Sequence, residues 1–123
     1  MALKRVAIEL GMGTSLRNED YTKAASRAVS DALWHNSLSM AAAFGFPKEA
    51  MIIDVEVATQ QPDAIDHDAI ASVFPYGKVT VSSVKGGLDI PKPRDENGNP
   101  TGKTIMANAV VIVSFDMEKA GSV

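Results

Sequence analysis

The amino-acid sequence predicts an α+β fold: a single domain, covering 1–123, with one mixed sheet of about four strands and helices on one face. Apolar and polar residues alternate at 5–10 and at 51–59, which is the period of a half-buried strand. Between these segments, alanines recur at helical spacing. The chain has 123 residues, 46% of them hydrophobic and 22% charged, which is the usual size and balance for one domain.

The first predicted strand covers 5–10, with Val6, Ile8 and Leu10 sharing one face. Its other face carries Arg5, Ala7 and Glu9. Glycines are common where a chain must turn, so Gly11 and Gly13 predict that the strand ends in a turn at 11–13.

The most regular periodic segment predicts a helix at 21–35. Residues 18–20 offer side chains that can cap its N-terminus. The apolar positions at helical spacing are Tyr21, Ala24, Ala25, Ala28, Ala32 and Leu33. The next segment, 37–46, is compatible with either a short helix or a tight connection.

Downstream, Asp66 can cap a short helix that continues to Val73. Further strands are predicted at 51–59, 78–84 and 104–116, with a flexible loop at 92–103 and a loose C-terminal tail at 118–123. The element order is therefore strand, helix, strand, helix, strand, strand. Because parallel neighbours need a crossover helix whereas the last pair can form a hairpin, the sheet is predicted to be mixed.

A sheet with helices on one side leaves its other face open. We expect that face to carry Met106, Val110 and Ile112 beside Glu9, Asp54 and Glu56. This mixture suggests a homo-oligomer that buries the apolar part and keeps the carboxylates at the rim. A half-solvated sheet in a monomer is the alternative.

Composition excludes several classes of function. The formal net charge of -3 gives no reason to expect binding to nucleic acid or to an anionic membrane. The chain has no cysteine, so disulfides, thiolate metal sites and cysteine nucleophiles are excluded. With no signal-peptide pattern and no apolar run that spans a bilayer, we expect a cytoplasmic protein.

The first candidate binding segment is 11–18, in which Gly11 and Gly13 would bring the backbone close to a ligand beside Ser15 and Arg17. It lacks the further glycine of a dinucleotide site and the Gly-Lys-Ser/Thr ending of a phosphate loop. Acidic residues at 19–20 would also repel an anion at the helix N-terminus. For the glycines alone, a tight turn that packs helix on strand is the simpler interpretation.

A polar stripe follows on one face of the predicted helix, where Lys23, Arg27, Asp31 and His35 stand four residues apart. Arg27 and Asp31 can pair, and Asp31 can orient His35 or raise its proton affinity. The alternative is a row of solvated ion pairs that contribute a few tenths of a kcal/mol each.

Two other clusters carry polar groups. Asp63, Asp66, His67 and Asp68 resemble a metal site, but helix capping by Asp66 explains them better, so no metal is predicted. The third candidate is Lys85 with Gly86 and Gly87, at the end of a predicted strand. Paired glycines there indicate either a bulge or backbone N–H groups that, with Lys85, bind an oxyanion.

The helix sequence is similar to that of a family of conserved hypothetical proteins from bacteria and plants. The resemblance rests on a GxGxDxHG signature followed by a DxTKAAxRAxxDAxxxNSL helix, and it extends over almost the whole chain. The matching helix positions are Asp20, 22–25, Arg27, Ala28, Asp31, Ala32 and 36–38. In the signature, Gly11 and Gly13 match, whereas Ser15, Arg17 and Asn18 stand in place of Asp, His and Gly.

The resemblance implies a fold and candidate positions but no reaction and no cofactor. Our leading hypothesis is an oligomer that binds a small anionic molecule at a subunit interface, using 11–17, Lys23, Arg27 and 85–87. A second hypothesis is a non-catalytic subunit that forms a hetero-oligomer with a family relative that keeps the signature Asp and His. A third is an enzyme with His35 or Lys85 as acid or base.

Overall fold

Five strands and two α-helices make up the described part of the chain, which comprises residues 3–34 and 50–116 of the computed structural model. In chain order they are β1 (Leu3–Ser15), α1 (Tyr21–Trp34), β2 (Ile52–Thr59), a 3₁₀ turn (Pro62–Ala64), α2 (His67–Ala71), β3 (Lys78–Lys85), β4 (Leu88–Pro91) and β5 (Lys103–Asp116). The predicted α+β class is confirmed. The segment 37–46, the tail at 118–123 and His35 lie outside the described residues.

The strands form one open mixed sheet in the order β1-β5-β2-β3. β5 is antiparallel to β1 and to β2, whereas β2 and β3 are parallel. β4, which the sequence analysis did not assign as a strand, pairs with the first residues of β5. The expected hairpin between the last two predicted strands, 78–84 and 104–116, is wrong, because β3 pairs with β2 and it is β4 that pairs with β5. Because β1, β2 and β3 run in the same direction, their C-terminal residues lie at the same end of the sheet.

Both helices lie on one face of the sheet, as predicted. The core between α1 and the sheet contains five fully buried residues of α1, which are Ala24, Ala25, Ala28, Val29 and Ala32. Alternate residues of β2 and β5, including Ile53, Val55 and Val111, complete this core. Since alanine side chains are short, the helix backbone approaches the sheet closely.

The predicted turn at 11–13 is wrong, because β1 continues to Ser15. Gly11 and Gly13 lie in the middle of β1, directly beneath α1. A Cβ atom at Gly11 would overlap backbone atoms of Ala28 and Ala32, and one at Gly13 would overlap the backbone of Ala24. The two glycines therefore allow close packing of helix on strand.

The predicted faces of β1 are also reversed. A register shift between Arg5 and Ala7 is followed by a regular ladder in which Glu9 lies opposite buried Val111, on the helix side. Ile8 and Leu10, which were predicted to share the face opposite that of Glu9, are 49% and 69% exposed on the open face. The expectation that Glu9 lies on the open face is therefore wrong, whereas Asp54 and Glu56 are exposed there as predicted.

Both predicted helix caps are confirmed. The carboxylate of Asp20 accepts a hydrogen bond from the N–H of Lys23 at 3.0 Å, at the start of α1. Asp66 Oδ1 accepts from Asp68 N at 3.0 Å and from Ala69 N at 3.2 Å. α2 ends at Ala71, two residues before the predicted end. Aspartate at both N-termini satisfies N–H groups that have no partner within the helix.

Candidate functional site

A pocket of about 180 Å³ lies where β1 ends and α1 begins. It is lined by Ser15, Leu16, Arg17, Asn18, Lys23 and Arg27. Four of the residues predicted to bind a ligand are therefore brought together, namely Ser15, Arg17, Lys23 and Arg27. The extension of β1 to Ser15 and the short connection to Tyr21 place the strand end beside the first two turns of α1.

The lining of the pocket is positively charged. Of the six lining residues in the described part of the chain, three are cationic and none is acidic. Arg17 and Lys23 are exposed, and no carboxylate among the described residues pairs with either of them. Arg27 is held by a hydrogen bond from Nη1 to the carbonyl oxygen of Thr14 at 2.7 Å.

The neighbouring carboxylates are engaged elsewhere. Asp20 caps α1, and its own N–H donates to Oγ of Ser15 at 3.2 Å. Oδ2 of Asp31 accepts from the N–H of Met12 at 3.0 Å, and Arg27 donates to the carbonyl oxygen of Thr14, whereas the pairing of Arg27 with Asp31 stays a prediction. Both side chains reach the backbone of β1, which is an edge strand of the sheet formed by the described residues. Asp20 keeps its negative charge at the start of α1, but it does not line the pocket.

The other predicted binding residues lie apart from this pocket. Gly11 and Gly13 do not line it. Gly86 and Gly87 follow the C-terminal end of β3, at the same end of the sheet as the pocket. Both glycines pack against Ala58, and Gly87 also packs against Met106. Lys85 is exposed beside them. Their carbonyl oxygens accept hydrogen bonds from Nε2 of Gln60, at 3.0 and 3.3 Å.

A second polar cluster was missed by the sequence analysis. The hydroxyl of Tyr21 donates to Oδ2 of Asp89 at 2.6 Å, and Nζ of Lys103 lies 3.1 Å from the same oxygen. Burial, together with the hydrogen bond to Asp89, raises the pKa of Tyr21 above 10.0. Contacts with the Tyr21 oxygen and with Asp89 raise the pKa of Lys103. The cluster joins the start of α1 to β4 and β5, and it was missed because β4 was not assigned as a strand.

The Asp-rich segment is accounted for by local structure. Asp66 caps α2, and Nε2 of His67 lies 3.0 Å from Oγ of Ser83. Thr22 connects this segment to α1, because its hydroxyl donates to the carbonyl of Ala64 at 3.3 Å and accepts from Asp66 N at 2.9 Å. In the part of the chain that the structure describes, no three His, Asp or Glu side chains are placed to hold a metal ion.

Among the same residues, neither helix has the length and hydropathy that a membrane-spanning helix requires.

The chain matches the model of a family of conserved hypothetical proteins, Lin0512_fam, over residues 5–113. The chain belongs to this family. The resemblance inferred from the helix sequence is thereby confirmed. Ser15, Arg17 and Asn18, the three positions at which the resemblance led us to expect Asp, His and Gly, all line the pocket.

A solved structure shows the same fold. It is the crystal structure of an FtsZ-like protein of unknown function from Nostoc punctiforme PCC 73102. The two chains are 33% identical and superpose with a TM-score of 0.82. The match covers 94% of this chain and 98% of the Nostoc chain. No curated protein matches the chain significantly.

Proposed function

We propose that this member of the family is an oligomeric protein that binds a small anionic molecule in the pocket between β1 and α1. The observation that carries the proposal is the convergence of Arg17, Lys23 and Arg27 on one pocket that has no acidic residue in its described lining. Cationic side chains that lack a carboxylate partner repel one another, and a bound anion relieves that repulsion.

The chemistry of the lining residues suits an oxyanion. The guanidinium of Arg17 presents paired N–H donors that match carboxylate or phosphate oxygens, whereas Lys23 acts as a point charge. Oγ of Ser15 accepts the N–H of Asp20, which leaves its hydroxyl hydrogen as a further donor. Arg27 is already fixed on the carbonyl of Thr14, so its remaining donors are held in place.

The size of the pocket limits the ligand. A volume of about 180 Å³ is smaller than the roughly 300–1,000 Å³ of pockets that hold drug-sized molecules. A phosphate group or a short carboxylic acid is of this size. Because Arg17, Lys23 and Arg27 are exposed, a second subunit beside the pocket would strengthen binding by excluding water.

Isothermal titration calorimetry with inorganic phosphate and with succinate, at low ionic strength, tests the proposal. We expect Arg17→Ala and Lys23→Ala each to weaken binding about tenfold, the effect of losing one charge-assisted hydrogen bond of about 1.5 kcal/mol. Lys78→Ala is the matched control. Lys78 is an exposed lysine at the start of β3, and β3 lies at the other side of the sheet from β1. The proposal is wrong if the wild-type protein binds neither anion, or if all three variants bind equally well.

A second candidate function is that of a non-catalytic subunit in a hetero-oligomer. It is favoured by the position of Ser15, Arg17 and Asn18, because the three departures from the signature line one pocket. A relative with Asp and His at these positions would supply a carboxylate and an imidazole there, which this chain lacks. Native mass spectrometry of a mixture of the two purified chains tests this function. Mixed oligomers support it, whereas two separate homo-oligomers contradict it.

A further inference from the structure

Two buried side-chain oxygen atoms have no hydrogen-bond partner among the described residues. One is Oγ1 of Thr59, a residue that is 0% exposed, and the other is Oδ1 of Asp89. Burying a polar group without a partner costs free energy, so native structures satisfy nearly all such groups. The two oxygens therefore indicate a hydrogen-bonding group that the described side chains do not supply.

β4 lies in line with β2, on the same side of β5. Ile105 and Met106 of β5 pair both with β1 and with β4. Since a strand has only two sides, β4 must lie on the side of β5 that β2 occupies further along. Thr59 is the last residue of β2, so β4 follows it along this line.

Thr59 and Asp89 share the face of the sheet that α1 covers. Asp89 lies opposite Ile105, which is fully buried on the helix side. Thr59 continues the alternation of the buried residues Val55 and Val57 on that side. Both orphaned oxygens therefore belong to side chains beneath α1.

The strand register sets the separation of these two side chains. Continuing the ladder of β2 and β5 by one residue places Thr59 opposite Ala107, whereas Asp89 lies opposite Ile105. Two residues along a strand correspond to about 7 Å between Cα atoms. A water molecule that makes two hydrogen bonds of about 2.8 Å joins oxygen atoms up to about 5.6 Å apart. This reach matches two side chains on one face at that spacing.

The second carboxylate oxygen of Asp89 fixes the direction of the first. Oδ2 accepts from the hydroxyl of Tyr21 at 2.6 Å and lies 3.1 Å from Nζ of Lys103. Lys103 is two residues before Ile105 on β5, so Lys103 and Thr59 lie on opposite sides of Asp89 along the strands. With Oδ2 directed at Lys103, Oδ1 is left on the side of Thr59.

We propose that one ordered water molecule joins Asp89 to Thr59 beneath α1. The hydroxyl of Thr59 donates to the water, and the water donates to Oδ1 of Asp89, so both buried oxygens gain a partner. The water thereby links the end of β2 to β4 and, through Asp89, to Tyr21 of α1. This site is separate from the anion pocket, because neither Asp89 nor Thr59 lines that pocket.

The surrounding charges favour water over an ion. The ammonium group of Lys103 already lies beside the carboxylate of Asp89 and repels a second cation. Within residues 3–34 and 50–116, no three His, Asp or Glu side chains are grouped to hold a metal ion. The carboxylate itself repels an anion. A small neutral molecule that both donates and accepts hydrogen bonds satisfies the two oxygens, and water is the smallest such molecule.

A crystal structure of the full chain at atomic resolution is the first test. We expect a water molecule within about 3.2 Å of both Oδ1 of Asp89 and Oγ1 of Thr59. Thr59→Ser keeps the hydroxyl and should keep the water, whereas Thr59→Val should lose it. An empty site, a direct hydrogen bond between Thr59 and Asp89 or a metal ion at this position would overturn the proposal. A water that stays in place in Thr59→Val would do the same.

Urea unfolding tests the link between the two side chains in solution. Thr59→Val should raise the unfolding equilibrium constant about tenfold in the wild type, because Asp89 loses the donor to its buried oxygen. In an Asp89→Leu background the same change should have an effect of at most about twofold, since no carboxylate then depends on the water. Thr80→Val is the matched control, because Thr80 is an exposed threonine on β3. It should have the same effect in both backgrounds, and the proposal is wrong if Thr59→Val does so too.

Discussion

The backbone N–H of Met12 donates a hydrogen bond to Oδ2 of Asp31 at 3.0 Å, so a helix side chain covers the edge of the sheet. Met12 lies on β1, an edge strand. Thr14 lies two residues further along β1, and its carbonyl oxygen accepts a hydrogen bond from Nη1 of Arg27 in α1. Free N–H and C=O groups on an edge strand can pair with another chain. Asp31 and Arg27 therefore protect β1 from edge-to-edge association.

Replacing Asp31 with Ala should lower the free energy of unfolding by about 1 kcal/mol and increase aggregation, because the N–H of Met12 loses its acceptor. Urea unfolding and static light scattering measure the two effects. Asp31→Asn keeps an oxygen acceptor and should cause a smaller loss of stability. Equal light scattering from wild type and Asp31→Ala would show that the bond does not protect the edge.

Gly13→Ala should destabilise the protein by about 3 kcal/mol or more, because the added methyl group would overlap the backbone of α1 at Ala24 and Ala28. Backbone cannot move aside as a flexible side chain can, so the whole helix must shift. Gly98→Ala is the control: Gly98 has a φ of 80° but nothing lies within 4 Å of the added atom. It should cost only about 1–2 kcal/mol of left-handed backbone strain. Urea unfolding that gives the same loss for both variants would contradict close packing at Gly13.

Thr22→Val should cost about 1–2 kcal/mol, because Thr22 both donates to the carbonyl of Ala64 and accepts from the N–H of Asp66. Valine has nearly the same shape but removes both hydrogen bonds. Hydrogen exchange should also show faster opening of α2, since this hydroxyl connects the residues before α2 to α1. Thr22→Ser keeps the hydroxyl and should stay close to the wild type. If valine and serine have the same effect, the two hydrogen bonds contribute nothing.

The sequence was sufficient to predict the order of the main elements, the N-terminus of α1 and the cap at Asp66, because these depend on local patterns. It was not sufficient for β1. Alternation shows that 5–10 is a strand, but it does not show which face is buried when one face is large and apolar and the other is small. The packing of Gly11 and Gly13 against the alanines of α1 decides the face, and that contact is tertiary.

The candidate site was predicted only in part, because local sequence brings some polar residues together whereas tertiary contacts bring together others. Ser15, Arg17, Lys23 and Arg27 are close in sequence, so a strand followed by a helix brings them together whatever the rest of the sheet does. The contact between Tyr21 and Asp89 joins residues 68 positions apart. It depends on β4, which has only four residues and contains a proline, so its pattern is too short to identify a strand.

The Tyr21–Asp89–Lys103 cluster predicts that stability falls at alkaline pH. The pKa of Tyr21 is raised in the folded protein, so the folded chain keeps the phenol proton at a pH where the unfolded chain, with an ordinary pKa of 10.0, has lost it. The raised pKa of Lys103 acts in the same direction, from an ordinary value of 10.5. The stabilisation from both groups is fully present at a pH below their ordinary pKa values. It is lost as the pH rises through the raised pKa values of the folded protein.

Urea unfolding of the wild type and of Tyr21→Phe, measured between pH 8 and pH 11, checks this expectation. At pH 8 the variant should be less stable by about 1–2 kcal/mol, because it lacks the hydrogen bond to Asp89. Above pH 10 its stability should fall less steeply, because the phenylalanine has no proton to lose. Tyr76→Phe is the matched control and should keep the wild-type steepness, since Tyr76 is not part of the Tyr21–Asp89–Lys103 cluster. Equal steepness in the wild type and Tyr21→Phe would mean that Tyr21 does not couple ionisation to folding.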